Sequence, residues 1–152
     1  MIKMNRTIFF DMDGTIADLY GVENWLSDLI NGNPRPYKEA KTMLSMGWLA
    51  RRIHILQALG FRVGIISWLS KTSSAEYDEL VTNAKLEWLQ RHLPSVDFDE
   101  INIVPYGTPK SNFACENDIL FDDELKNRLD WVGAAFNPNE ILSTLKELAL
   151  MQ

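Results

Sequence analysis

The fold is decided by the stretch TIFFDMDGT, at residues 7–15. Its first part, Thr7-Ile8-Phe9-Phe10, is a short, β-prone apolar run with no polar alternation, which is typical of a strand buried on both faces. The run stops at Asp11, and Asp13 and Gly14 follow at once. The sequence therefore predicts a buried strand whose carboxyl end carries an acidic turn.

Further short apolar runs repeat this pattern along the chain, with helical patterns between them. The alternation predicts an α/β fold, a Rossmann-like parallel sheet of about five strands flanked by helices. Pro138 and Glu140 after Asn137 are typical of a helix start. The other predicted strands are residues 61–67, 101–104, 119–121 and, more weakly, 133–136, and the predicted helices are residues 48–59 and 75–93 and one that begins at 137–140.

The connection between the first two strands, residues 16–60, is longer than a crossover requires, which is about a dozen residues. Helical patterns occupy residues 22–30 and 37–45, on either side of the Gly- and Pro-containing segment 32–36. We therefore predict a single domain, residues 1–152, with a small helical cap inserted after strand 1 at about 17–46.

The composition excludes several classes of protein. With 15 Lys and Arg against 21 Asp and Glu, the formal charge is −6, and no basic cluster favours duplex nucleic acid. The single Cys115 excludes a disulfide framework and a multi-cysteine zinc site. No apolar run reaches the roughly 18 residues of a membrane span, and the N-terminus lacks the apolar core of a secretory signal. We expect a reduced, cytoplasmic, soluble protein with no membrane partner; the sequence does not fix the oligomeric state.

Acids gather where the predicted strands end. Asp11 and Asp13 follow the first strand, Asp122 and Asp123 follow the fourth, and ligands of open α/β sheets bind outside these carboxyl ends. Clustered carboxylates repel one another, and a hard divalent cation such as Mg²⁺ relieves the repulsion and can orient a phosphate. One carboxylate can attack phosphorus, and another can protonate the leaving oxygen. The pattern thus favours phosphoryl transfer.

The whole series resembles the four motifs of the haloacid-dehalogenase-like (HAD) phosphatases, in the same order and over residues 7–123. It consists of Asp11-x-Asp13-Gly14-Thr15, then Ser67 after a strand, then Lys110, then Asp122-Asp123 after a strand. The resemblance implies a Mg²⁺-dependent phosphomonoester hydrolase that forms an aspartyl-phosphate intermediate.

The same resemblance implies a role for each residue of the motifs. Asp11 would be the nucleophile and a Mg²⁺ ligand, and Asp13 the general acid and base, with its backbone carbonyl on the metal. Asp122 would be a direct ligand, and Asp123 would reach the metal less directly or through water. The residues expected around the phosphoryl group are Thr15, which steadies the loop, Ser67 and Lys110, which hold the phosphate, and Trp68 beside them.

A finer resemblance is to the 5′(3′)-deoxyribonucleotidases and their bacterial and phage relatives. It rests on residues 11–18, on the Lys85-Leu86-Glu87-Trp88-Leu89 segment, and on residues 120–123 with Asn127, Trp131 and Gly133 downstream. It implies a nucleoside monophosphate as substrate. Aromatic residues of the predicted cap are then candidates for stacking on the base, namely Trp25, Tyr37 and Trp48.

Several alternatives remain open at this point. The substrate can instead be another small phosphorylated metabolite or a phosphorylated nucleic-acid end, and the protein can be a phosphate-binding protein without activity. A signalling receiver domain also has acids, a hydroxyl and a lysine, but there the acidic pair comes first and the lysine last. Lys71 competes with Lys110 for the phosphate-holding role.

Overall fold

The computed structural model describes residues 6–151. Residues 1–5, on which the argument against a secretory signal partly rests, lie outside this part. Main-chain pairing within residues 6–151 forms a five-stranded sheet and a two-stranded one. The strands, in chain order, are β1 (Thr7–Phe10), β2 (Ala17–Asp18), β3 (Lys41–Thr42), β4 (Arg62–Trp68), β5 (Glu100–Val104), β6 (Ile119–Phe121) and β7 (Ala134–Phe136).

The large sheet has the order β5-β4-β1-β6-β7, and every neighbouring pair in it is parallel. This confirms the predicted α/β, Rossmann-like sheet of five strands. Helices flank it, and no helix of residues 6–151 has both the length and the apolar character needed to cross a membrane. The helices are α1 (Trp25–Ile30), α2 (Arg35–Glu39), α3 (Met46–Ala58), α4 (Ala75–His92), α5 (Leu125–Asp130) and α6 (Ile141–Leu150).

Side-chain caps explain where the longer helices begin. Ser45 accepts a hydrogen bond from the backbone N–H of Trp48 at the start of α3, and Ser74 does the same for Tyr77 at the start of α4. The predicted start at Asn137 forms a capping box with Glu140 around a short 3₁₀ turn that leads into α6.

The connection between β1 and β4 differs from the prediction in its second half. The helical pattern at residues 37–45 was expected to give one helix, but α2 ends at Glu39. The next residues form β3, which pairs antiparallel with β2, and the N–H of Met43 donates to the carbonyl of Ile16. The prediction was wrong because the backbone of residues 41–43 forms its hydrogen bonds with residues 16–18, shortly after β1. Local periodicity does not reveal pairing with a segment more than twenty residues away.

The inserted helices α1 and α2 are tied to each other and to α4. Arg35 donates to Asp28 and Glu39, both at 2.6 Å, and to the carbonyl of Glu23. The hydroxyl of Tyr77, on α4, donates to the carbonyl of Asn33 at 3.1 Å. These contacts hold the insertion against the side of the sheet that carries α4.

Strand β1 lies at the centre of the sheet, and all four of its residues are buried. Ile8 and Phe10 face the larger apolar cluster, which contains residues of α3, α4 and α6. Phe9 faces the opposite side, where it meets Trp131 edge to face at 5.8 Å. Burial on both faces explains why this strand shows no polar alternation.

We expect Phe9→Ala to lower the free energy of unfolding by about 3–5 kcal/mol, because it leaves a cavity on the Trp131 side of the sheet. Urea unfolding followed by circular dichroism measures the change. Leu142→Ala, at a half-exposed position of α6, is the control and should stay within about 0.5 kcal/mol of the unchanged protein. Equal losses in the two variants would contradict the assignment of Phe9 to the core.

Candidate active site

The two acidic motifs meet because β1 and β6 are neighbours. Phe10 pairs with Phe121, so the next residues, Asp11 and Asp122, leave the sheet side by side. The backbone N–H of Asp11 continues the ladder by donating to the carbonyl of Phe121 at 2.9 Å. Parallel pairing thus joins two motifs that are far apart in the sequence.

Three carboxylates lie within reach of a single cation. One oxygen from each of Asp11, Asp122 and Asp123 lies within 4.8 Å of the other two. Burial, followed by the charge of Asp11, raises the pKa of Asp122 to about 6. Partial burial and the same neighbour raise the pKa of Asp123 to about 7. The negative charges of these three carboxylates therefore repel one another, and the hydrogen bonds that the carboxylates accept do not remove this repulsion.

Lys110 lies between two of these acids. Its buried Nζ donates to Asp11 Oδ1 at 2.9 Å and to Asp122 Oδ2 at 2.6 Å. Burial works against its charge, but the two carboxylates outweigh burial and raise the pKa of Lys110. The structure thus places Lys110 among the acids, whereas its rival Lys71 is exposed in the loop after β4.

The turn after β1 has no room for a side chain at Gly14. This glycine has a φ of +79°, and a Cβ added there would lie 2.3 Å from Asp123 Oδ2. The next residue, Thr15, is buried, and its hydroxyl donates to Asp11 Oδ2 at 2.9 Å. Lys110 and Thr15 together therefore engage both oxygens of the Asp11 carboxylate.

Ser67 and Trp68 end β4 on the other side of β1, but their side chains lie differently. Ser67 is fully buried. The indole N–H of Trp68 donates to the carbonyl of Thr108 at 2.8 Å, and its ring lies 5.4 Å from Lys110 Nζ. The ring of Trp68 therefore lies beside Lys110, whereas the side chain of Ser67 is enclosed by the protein.

Sequence reasoning missed Lys85 as a residue of the site. Its ammonium donates to Asp13 Oδ2 at 2.8 Å, to Ser67 Oγ at 2.5 Å and to the carbonyl of Trp68 at 2.8 Å. A signal was present in the sequence, because Lys85 falls four residues after Val81 and four before Leu89, on the buried stripe of α4. A lysine on an apolar stripe needs a charged or polar partner.

A cavity of about 320 Å³ opens above the acids. Asp11, Asp13, Asp122, Asp123 and Lys110 line one end of it. Apolar and aromatic side chains line much of the rest, among them Tyr20, Trp25, Leu26, Ile30, Trp68 and Tyr106. Polar and charged residues also take part, including Lys71 and the residues Ser70, Thr72, Glu124 and Asn127. Of the three predicted stacking candidates, Trp25 and Tyr37 line the cavity, while Trp48 packs against the main core.

The residues present fit Mg²⁺. Asp11, Asp122 and Asp123 offer oxygen donors, which are the ligands that this ion prefers. When ionised, the four carboxylates at this end of the cavity outnumber the ammonium groups of Lys85 and Lys110 by two charges. A divalent cation supplies that difference, so Mg²⁺ would leave the site close to neutral.

The comparisons with known proteins show the fold. No protein-family model matches the sequence, and no curated protein matches it either. Among solved structures, D,D-heptose 1,7-bisphosphate phosphatase from Burkholderia thailandensis has a TM-score of 0.51 at 17% identity, over 82% of this chain and 70% of that one. The HAD domain of the effector protein Lem4 from Legionella pneumophila covers 95% of this chain and 93% of its own, with a TM-score of 0.46 at 13% identity. The chain therefore has a parallel α/β fold like that of the heptose bisphosphate phosphatase.

We expect Asp122→Asn to weaken Mg²⁺ binding at least about tenfold, because it removes one charged oxygen donor. Isothermal titration calorimetry with MgCl₂ measures the affinity without any substrate. Asp130→Asn is the matched control, since Asp130 is an exposed acid at the end of α5. Unchanged affinity in Asp122→Asn would contradict the proposed ligand set.

Proposed function

We propose that the protein is a Mg²⁺-dependent phosphomonoester hydrolase that acts through an aspartyl phosphate on Asp11. The observation that carries the proposal is the meeting of Asp11, Asp13 and Lys110 with the acids after β6 at one end of a cavity. The resemblance of the motifs to the HAD phosphatases, and the fold shared with the heptose bisphosphate phosphatase, support the same reaction class. Mg²⁺ held by Asp11, Asp122 and Asp123 would supply positive charge against the phosphoryl oxygens.

In the first step, a carboxylate oxygen of Asp11 attacks phosphorus, and the bond from phosphorus to the leaving oxygen breaks. The leaving oxygen keeps the electron pair and takes a proton from Asp13. Hydrogen bonds from Lys110 and Thr15 hold the Asp11 carboxylate in place. Lys110 also lines the cavity, which supports its predicted contact with the phosphoryl group.

In the second step, Asp13 takes a proton from water as the water oxygen attacks phosphorus. The bond between phosphorus and Asp11 breaks, inorganic phosphate leaves, and the Asp11 carboxylate is restored. Ser67 accepts a hydrogen bond from Lys85 and is fully buried outside the lining of the cavity, so the phosphate-holding role expected for it stays a prediction.

We expect Asp11→Asn to lose about a thousandfold or more in kcat, because the amide is a poor nucleophile. Asp13→Asn should lose about a hundred- to ten-thousandfold, the usual contribution of a general acid. Release of inorganic phosphate from an alkyl phosphate such as glycerol phosphate, whose leaving oxygen needs a proton, measures both, with Mg²⁺ and with EDTA. Full activity in Asp11→Asn would overturn the mechanism.

For the substrate, we propose a nucleoside monophosphate. The aromatic side of the cavity supports this choice, because the flat face of a base can pack on Trp25, which meets Tyr20 edge to face at 4.9 Å. The insertion, at about residues 17–46, then acts as a cap that limits substrate size and excludes water from the reacting groups. The cytoplasmic location inferred from the sequence stays a prediction.

A substrate panel separates this proposal from the alternatives. It compares nucleoside monophosphates, sugar phosphates, and oligonucleotides phosphorylated at the 5′ or the 3′ end, all at equal Mg²⁺. We expect the highest kcat/KM with the nucleoside monophosphates. A preference for sugar phosphates would retain the reaction and overturn the substrate class.

We expect Trp25→Ala to raise KM for the preferred nucleotide roughly two- to tenfold, the equivalent of one aromatic contact. KM for a small alkyl phosphate such as glycerol phosphate should stay the same, because such a substrate has no ring to stack. Trp48→Ala serves as the control, since Trp48 packs on the core instead of lining the cavity. Equal changes for both substrates would contradict stacking on Trp25.

A further inference from the structure

Lys85 is a buried charge that the proposed mechanism does not use. Its residue is 1% exposed, in the middle of α4, between Val81 and Leu89 on a stripe of buried residues. Transferring an ammonium group to such a place is costly unless the group is paired and hydrogen-bonded. The position therefore requires partners, and those partners indicate what the lysine does.

All three N–H bonds of this ammonium have acceptors. Two belong to the end of β4, namely Ser67 Oγ and the carbonyl of Trp68, and the third is Asp13 Oδ2 in the turn after β1. The ring of Tyr37, from the insertion, lies 5.0 Å from Nζ. The ammonium group of Lys85 thus contacts the proposed general acid Asp13, the end of β4 and Tyr37 of the insertion.

We propose that Lys85 is a positioning residue for the general acid Asp13. The proposal rests on the proposed function, because it assigns Lys85 a role in the same reaction. Ser67 and Trp68 anchor the ammonium, which holds Oδ2 of Asp13 and leaves Oδ1 to exchange the proton with the leaving oxygen. Lys85 lies behind the cavity wall, so it acts through Asp13 and does not touch the substrate.

The two buried lysines of the site then have separate tasks. Lys110 binds Asp11 and Asp122, which are the nucleophile and a metal ligand. Lys85 binds Asp13, which handles the proton. Removing Lys110 therefore affects the first step with every substrate, whereas removing Lys85 affects it most with substrates that need a proton on the leaving oxygen. The second step, in which Asp13 acts as a base, is the same for all substrates and does not enter kcat/KM, which covers the steps up to departure of the leaving group.

The dependence of the rate on the leaving group tests this difference. An alkoxide leaves poorly without a proton, whereas p-nitrophenolate leaves well without one, so only the alkyl phosphate depends strongly on a placed acid. We expect Lys85→Met to lower kcat/KM for an alkyl phosphate about tenfold more than for p-nitrophenyl phosphate. Lys110→Met should lower both alike, and Lys126→Met, at an exposed position on α5, should lower neither.

A double-mutant cycle shows whether the effect passes through Asp13. With the alkyl phosphate, adding Lys85→Met to Asp13→Asn should cause no further loss of kcat, because the group that Lys85 positions is already removed. Independent, multiplying losses would overturn the proposal. An equal loss of kcat/KM for all leaving groups in Lys85→Met would overturn it as well, because that is the result of a purely structural role.

A crystal structure of Lys85→Met gives a readout that needs no activity. We expect the Asp13 carboxylate to leave its place near Ser67, and an unmoved carboxylate would overturn the proposal. If the unchanged protein hydrolyses no phosphomonoester, the proposed function fails, and this structure still decides whether Lys85 positions Asp13. Should Lys85→Met not fold, Lys85→Arg keeps the charge, alters the geometry, and should show the same leaving-group dependence.

Discussion

Electrostatic repulsion among carboxylates at one edge of the sheet is the constraint on which the rest of this structure depends. Asp11 and Asp122 leave adjacent parallel strands side by side, and Asp13 and Asp123 follow within two residues. Burial strengthens their repulsion, as the raised pKa values of Asp122 and Asp123 show. A chain that places acids in this way needs compensating positive charge nearby.

The need to balance these negative charges explains several features of this edge of the sheet. Two lysines are buried at this edge, although buried lysines are rare, because each of them binds a carboxylate. Glycine is favoured at position 14, because the backbone φ there is +79° and the carboxylate of Asp123 lies where a Cβ would be. The two negative charges that the lysines leave uncompensated are what a divalent cation would balance.

The insertion matters for the same edge of the sheet. The insertion is docked on α4 and carries Tyr20, Trp25 and Tyr37 to the cavity above the acids. One end of the cavity is therefore charged and the rest is largely apolar and aromatic. A nucleoside monophosphate has the same division between a charged phosphate and an aromatic base, and this likeness is the basis of the substrate proposal.

The sequence by itself determined the five strands of the large sheet, the order of the motifs and the acids at the strand ends. These follow from local chemistry, since a strand buried on both faces must be uniformly apolar and its first polar residues mark its end. The tertiary structure alone decided the pairing of β2 with β3 and the place of Lys85, because both depend on partners far along the chain. Periodicity reports which face of an element is buried but not what that face meets, and Lys85 meets Asp13 only because α4 packs beside β1 and β4.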